Sequence, residues 1–423
     1  MSTAAWDVVV VGGGPAGSSA ATFLALSGLR VALFEREPFP RFHVGESVMP
    51  AAMLLLEQLG ARDALEKAGF QVKYGGSFHD QESSAERIFY FLSGQPWPSY
   101  SYQVPRADFD ALLLDNARAR GVTVLQPATV ESAEFEAAGV TFTATTAAGP
   151  LTGRAAFMVD ASGRSSFIAS RFGQRQRRPN LGKVALFAHF RGAERLSGKD
   201  EGNTRIYVFP EGWFWWIPLA GDLTSVGAVM HARTVRSWTG SPEDLYAEMI
   251  RRCRPVAVGL AGAERVTAVH REANFSYVNS PIVGHRFLAV GDAITFVDPI
   301  FSSGVFIALR TGQLAAQAIV AAFRDGDFRA RRFQGYERQV WRSVAPLFRF
   351  IHKYYEPAFF ELLLHPQPYF GMYEAVLAVL SGGSLLRMRW RTRLALAMLF
   401  AVARMHTWLR RRAGRPVHSR LEW

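Results

Sequence analysis

"DVVVVGGGPAGSSAATFLALSGLRVALFERE", residues 7–37, reads as a strand, a glycine turn, a helix and a second strand. Four consecutive valines make an apolar, strand-like run. The glycines of Gly12-x-Gly14-x-x-Gly17 fall at the strand–helix junction. Gly12 allows the tight turn, Gly14 lets backbone approach a pyrophosphate, and Gly17 lets helix and strand pack closely. The amides around Ala16 open the helix, where free N–H groups and the helix dipole favour phosphate. Glu35 ends the second strand, about 20 residues past the glycines, where an acid meets a ribose hydroxyl. This places a Rossmann-like dinucleotide cradle at the start of the chain.

The chain has 423 residues, enough for two cores and an appendage. Its 49% apolar content carries no signature of disorder, and 13% aromatic residues suit a protein that holds flat organic molecules. Net charge is +12, which nucleic acid, anionic lipid or an acidic protein partner would each explain. Past residue 381 there are ten arginines, and Glu422 is the only acid. Cys253 is the single cysteine, so no internal disulfide forms, and the expectation is a cytoplasmic protein. Nothing near the amino terminus resembles a signal peptide. "LALAMLFAVA", 394–403, is about half a bilayer span and reads as a buried helix.

"GWFWWIPL", 212–219, puts three tryptophans and a phenylalanine in four consecutive positions. Taken alone it is a buried strand, but a core strand does not need so many indoles. Further on, "FMVDASGRSS", 157–166, is a strand ending at Asp160 and Gly163. "RFLAVGDAITFVDPIFSSGVFIALRTG", 286–312, is a strand, a Gly291-Asp292 step, a proline turn and a helix from about Gly304.

With "QVPRADFDALLLDNARARG", 103–121, these segments resemble flavoprotein monooxygenases of the p-hydroxybenzoate hydroxylase type. The resemblance implies FAD, with Arg106 contacting it and Asp292 beside its ribityl chain and pyrophosphate. Three further patterns resemble flavin-dependent halogenases: WxWxIP (Trp213, Trp215, Ile217, Pro218), FxxPxxSxG (Phe296 to Gly304), and the GES turn in "FPRFHVGESVMP", 39–50. The halogenase resemblance covers about residues 5–340 and carries Arg41 and Ser47 over as cofactor contacts.

In that family, reduced FAD (FADH2 from a separate reductase), O2 and chloride or bromide yield hypohalous acid, which travels to a substrate held elsewhere. The tryptophan motif would then keep an aromatic substrate off the flavin. The backbone N–H groups of Ser303 and Gly304 would hold the halide at a helix start. Lys73, in "FQVKYGGSFH", would pass on the halogen, as an ammonium hydrogen-bonded to the acid or as a haloamine. The tryptophan halogenases have a glutamate before the motif serine, and here Phe301 stands in its place. The resemblance therefore implies an electron-rich ring, pyrrole or phenol, free or tethered to an acyl or peptidyl carrier protein. His79, His189 and His270 are candidate bases by residue type alone.

The fold expected is α/β. A Rossmann-like FAD-binding domain (about 1–78, 103–165 and 271–320) is interleaved with an antiparallel substrate-side sheet (about 79–102 and 166–270) within a module spanning 1–340. A basic helical segment, 341–423, follows. The resemblance implies that its helices cap the substrate chamber, with Tyr354, Tyr355 and Phe359 at the lining, and its arginines would meet a carrier protein or touch a membrane. Neither a metal nor a nucleic-acid partner is expected. Two alternatives stay open: a flavin hydroxylase or reductase of the same fold, and a non-enzymatic basic binding protein that carries no flavin.

Overall fold

A computed structural model of the chain describes residues 5–177, 182–273, 276–296, 298–365, 369–383, 386 and 389–414. Its first sheet is built on the valine strand, Ala5–Val11, with Gly149–Asp160 and Phe287–Ala289 on one side and Val31–Phe34 and Thr123–Leu125 on the other. These five strands run parallel. Val8 and Val10 pack against the cradle helix Pro15–Leu26 and the long helix Gly304–Asp325, while Val9 and Val11 pack against Phe142 and Ala144 of an antiparallel hairpin. Both faces are covered, so the strand alternates nothing and reads as a continuous apolar run. The helix Gly304–Asp325 is long and apolar enough to cross a bilayer, yet 72% of its apolar window is buried inside the molecule.

The second sheet has eight strands and centres on Lys183–Arg191, Leu223–His231 and Gly212–Pro218. Its pairs are antiparallel except Thr204–Phe209 with Gly75–Asp80. The motif strand alternates faces: Trp213, Trp215 and Ile217 join the core shared with the C-terminal helices, whereas Phe214 and Trp216 pack on the far side against Tyr246 and Met249. The indole surface facing the first side is therefore made by two tryptophans, not three, because a strand sends successive side chains to opposite faces. Trp215 lies across the strand beside it, opposite Gly227; a Cβ at Gly227 would fall 2.2 Å from the indole ring.

Past residue 333 the described chain is helical: Gln334–Tyr354, Pro357–Leu364, Met372–Leu380 and Trp390–Arg412. The expected buried helix at 394–403 is half right. Ala395, Leu396, Leu399, Phe400 and Ala403 are buried, but Leu394, Ala397 and Ala401 face solvent, because the helix lies on the surface with one face inward.

Candidate active site

In the cradle, the three glycines separate by cause. Gly12 has φ +107°, and a Cβ there would fall 2.4 Å from the Ala161 carbonyl oxygen; at Gly17 it would fall 1.9 Å from that of Gly12. Both are required by the protein's own packing. A Cβ at Gly14 would meet nothing closer than Arg41 Nη2 at 3.6 Å, so the fold leaves room there for a ligand. Glu35 is buried and accepts hydrogen bonds from the Gly13 and Glu37 amides at 2.6 and 2.9 Å. Arg41 and Arg106 converge on the buried carboxylate of Asp110, Arg106 through two hydrogen bonds of 2.8 and 2.9 Å and Arg41 through one of 3.1 Å. Arg106 also donates to the Val44 carbonyl at 2.8 Å. Burial raises the Asp292 carboxyl to about 6 against the pull of Arg106 and Arg164. An open glycine, two braced guanidiniums and helix-start amides form a donor set that fits a pyrophosphate.

Lys73 ends the short strand Gln71–Lys73 and is 4% exposed. Its ammonium donates to Ser47 Oγ at 2.6 Å and lies 5.6 Å from the Phe91 ring. Burial alone pulls its amine down to about 7, because a charge taken out of water is disfavoured. Ser47 follows Glu46, whose carboxylate meets His189 Nε2 at 2.7 Å, both side chains buried. His189 shares a strand face with Phe187, whose ring is 5.5 Å from Trp215 and 5.3 Å from His270. His79 is elsewhere, bonded to Ser77 and stacked on Tyr207.

The proline turn forms a second cluster. Ser302 adopts a left-handed conformation (φ +55°), and buried Ser303 caps the helix Gly304–Asp325. A Cβ at Gly304 would meet only Phe296 at 3.7 Å, so packing does not demand glycine there, and an anion can reach the first-turn amides. Beneath the turn lies Asp298, wholly buried. It accepts from the Ile300 amide at 3.1 Å and the Tyr355 hydroxyl at 2.6 Å, and lies 3.6 Å from the Lys183 ammonium. Tyr355 accepts from Trp213 Nε1 at 3.1 Å. One buried chain of contacts thus joins the tryptophan motif, the proline turn and the last residues of the helix ending at Tyr354. Phe301 packs on Phe350 and Tyr354 at 5.1 and 5.4 Å. Ile217 and Pro218 complete the motif strand, whose Trp215 Nε1 donates to Ser225 at 3.1 Å.

Sequence reasoning missed Asp110, the Glu46–His189 pair and Lys183. Asp110 was visible as the i+4 partner of Arg106 on a helix. Glu46 was quoted within the GES turn, but nothing local names a histidine 143 residues away as its partner. Lys183 matches no motif, and its ion pair with Asp298 comes only from the packing of the strand end at Lys183 on the proline turn.

The family model described as tryptophan halogenase matches residues 7–97 and 93–358. The 1H-pyrrole-2-carbonyl-[peptidyl-carrier protein] chlorinase of Pseudomonas fluorescens is 32% identical over 379 residues, 84% of this chain and 84% of that protein. The corresponding brominase of Pseudoalteromonas luteoviolacea is 32% identical over 330 residues, 77% of this chain and 79% of that protein. A solved flavin-dependent brominase superposes with a TM-score of 0.86 at 28% identity, covering 95% of this chain and 100% of that one. A family model spanning most of the chain and relatives of matching length agree with the resemblance carried by the three motifs: the chain belongs to the flavin-dependent halogenase family of FAD-dependent oxidoreductases.

Proposed function

We propose that this enzyme halogenates an electron-rich aromatic ring, a pyrrole or a phenol presented by an acyl or peptidyl carrier protein, with chloride or bromide and through Lys73. The reading is of a cytoplasmic enzyme whose reduced FAD comes from a separate reductase; its one thiol, Cys253, is buried, which raises its pKa to about 12. Bound reduced FAD supplies, with O2, halide and a proton, the two-electron oxidation that yields hypohalous acid and water. The cradle glycines, Glu35, Arg41 and Arg106 would hold its dinucleotide portion, and Asp292 and Ser47 the parts nearer the ring. The Ser303 and Gly304 amides would hold the halide.

The observation that carries the reading is the state of Lys73. A buried amine brought down to about 7 holds a substantial neutral fraction near neutral pH, and that form is a nucleophile for hypohalous acid. Its hydrogen bond to Ser47 fixes the nitrogen in place. Trp213 and Trp215 on the shared face support a barrier to aromatic substrates, and Phe301 supports an activated ring, since the carboxylate nearest in sequence, Asp298, is already engaged.

A carrier-tethered substrate is supported by the names of the relatives and by charge. The helix Trp390–Arg412 contains no acid. Its exposed Trp390, Leu394, Ala397, Ala401, Met405 and Trp408 recur every three or four residues, so they follow one line between arginines. This surface suits an acidic helical carrier protein, and a membrane surface is the second occupant the same test examines. Incubation with reduced FAD, O2 and bromide, using free and carrier-bound pyrrole and phenol, tests the proposal by product mass. The bromine isotope doublet on a carrier-bound ring is the expected result. A gain of one oxygen would make the enzyme a hydroxylase, and a shift of the enzyme onto anionic vesicles without carrier binding would reassign the terminal helix.

A further inference from the structure

The last three helices, Pro357–Leu364, Met372–Leu380 and Trp390–Arg412, border, with the sheet edge at Phe78 and Phe89, a cavity of about 430 Å3 that opens to solvent beside the exposed Phe370. Its size is that of a small-molecule site. Its lining is apolar, with Leu363, Val376, Leu377, Leu380 and Leu399 almost fully buried, and among the described residues the only charged side chain at it is Arg87. Water finds few partners on so apolar a wall.

Arg87 identifies the head group. Its guanidinium lies 5.2 Å from the centre of the Tyr373 ring, and its Nε is buried with no hydrogen-bond partner among the described residues. A guanidinium of a half-buried arginine, with its Nε donor buried and unused beside an apolar chamber, is matched by a carboxylate or a phosphate. Phe78 fixes the cavity's place in the molecule. One side of its ring lines the cavity, and the ring also lies 6.0 Å from Tyr354 and 6.5 Å from Phe301, the residue before the motif serines.

We propose that this cavity binds the alkyl or acyl tail of an amphiphilic anion, with its head group on Arg87. Resting on the halogenase reading, the tail belongs to the aromatic substrate, whose ring then lies across Phe78 at the Phe301 end. The head-group chemistry is shared by a soluble acyl compound and by a membrane lipid.

Calorimetric titration of the intact enzyme with sodium dodecanoate, kept below its micelle concentration, tests the binding without any halogenation. One saturable site is expected, with dodecanol at least tenfold weaker. Arg87→Gln brings dodecanoate down to the affinity of dodecanol, and Val376→Trp, which fills the cavity, weakens both at least tenfold. Melting temperature and FAD binding of both variants, measured alongside, report whether each has folded. Phosphatidylglycerol vesicles that displace dodecanoate would assign the site to a lipid, and vesicles that leave it bound assign it to a soluble molecule. No saturable binding, or binding that a folded Val376→Trp variant leaves unchanged, overturns the proposal while leaving the halogenase reading intact.

Discussion

The proposed reaction concentrates its chemistry in Lys73, and the burial of that side chain has consequences that can be read apart. Its folded pKa is near 7 against an ordinary value of 10.5. The neutral fraction therefore rises about tenfold between pH 6 and 8, and the rate of halogen transfer should follow it; a rate that falls over that range would assign the work to the ammonium form. A depressed lysine also destabilises the fold, by on the order of a few kcal/mol. Lys73→Met should raise the melting temperature, with the gain complete below pH 7 and fading as pH climbs towards 10.5, where the unfolded amine is neutral too. Thermal unfolding of both proteins across that range is the check. Asp298 gives the opposite case. Asp298→Asn removes the carboxylate that lies 3.6 Å from the buried Lys183 ammonium and accepts from the Tyr355 hydroxyl, and should cost about 3–5 kcal/mol. Adding Lys183→Met should recover much of that loss, as read by denaturant unfolding. At this scale the motif residues Gly14, Lys73 and Arg106 stood out in the sequence, and the structure puts an open cradle position, a buried amine and a braced guanidinium there. Glu46–His189 and Lys183–Asp298 were illegible because each pair is made by tertiary register, and isolated residues carry no sign of it.

The element that most repays perturbation is the strand Gly212–Pro218. Its alternation sends Trp213 and Trp215 to one side and Trp216 to the other, so a barrier built from it has two indoles. Trp215 reaches that position only because the residue opposite is Gly227. Gly227→Ala should cost about 1–3 kcal/mol by overpacking, and Trp215→Leu in the same chain should relieve it. Denaturant unfolding of the two single variants and the double variant measures the coupling, and additive losses would mean that the two residues do not meet. The cradle's strand–turn–helix–strand order was fully legible, because apolar run, glycine spacing and closing acid agree with one another. The terminal helix was legible only in part. Apolar content marked its inner face, but its outer line of Trp390, Leu394, Met405 and Trp408 is invisible until the helix has a neighbour that defines inside.

Across the whole molecule, an excess of twelve positive charges and an acid-free terminal helix should make carrier association depend on salt. Association rate should fall about tenfold from low to high ionic strength, and neutralising Arg391, Arg393 and Arg411 to glutamine should flatten that dependence. Stopped-flow binding to a carrier protein checks both. The order of the layers was legible because helices must cover a parallel sheet, whereas the apolar cavity under the terminal helices was not, since it is made by what three helices and a sheet edge leave unfilled. The account as a whole depends on oxidant formed at the flavin being handed on by one amine. The most direct measurement is a single turnover of reduced FAD, O2 and bromide in the wild type and in Lys73→Met, recording flavin oxidation and brominated ring together. The account predicts flavin oxidation at an unchanged rate in the variant, hypobromous acid recoverable by an added trap, and no brominated ring. Ring bromination by the variant at the wild-type rate would contradict it.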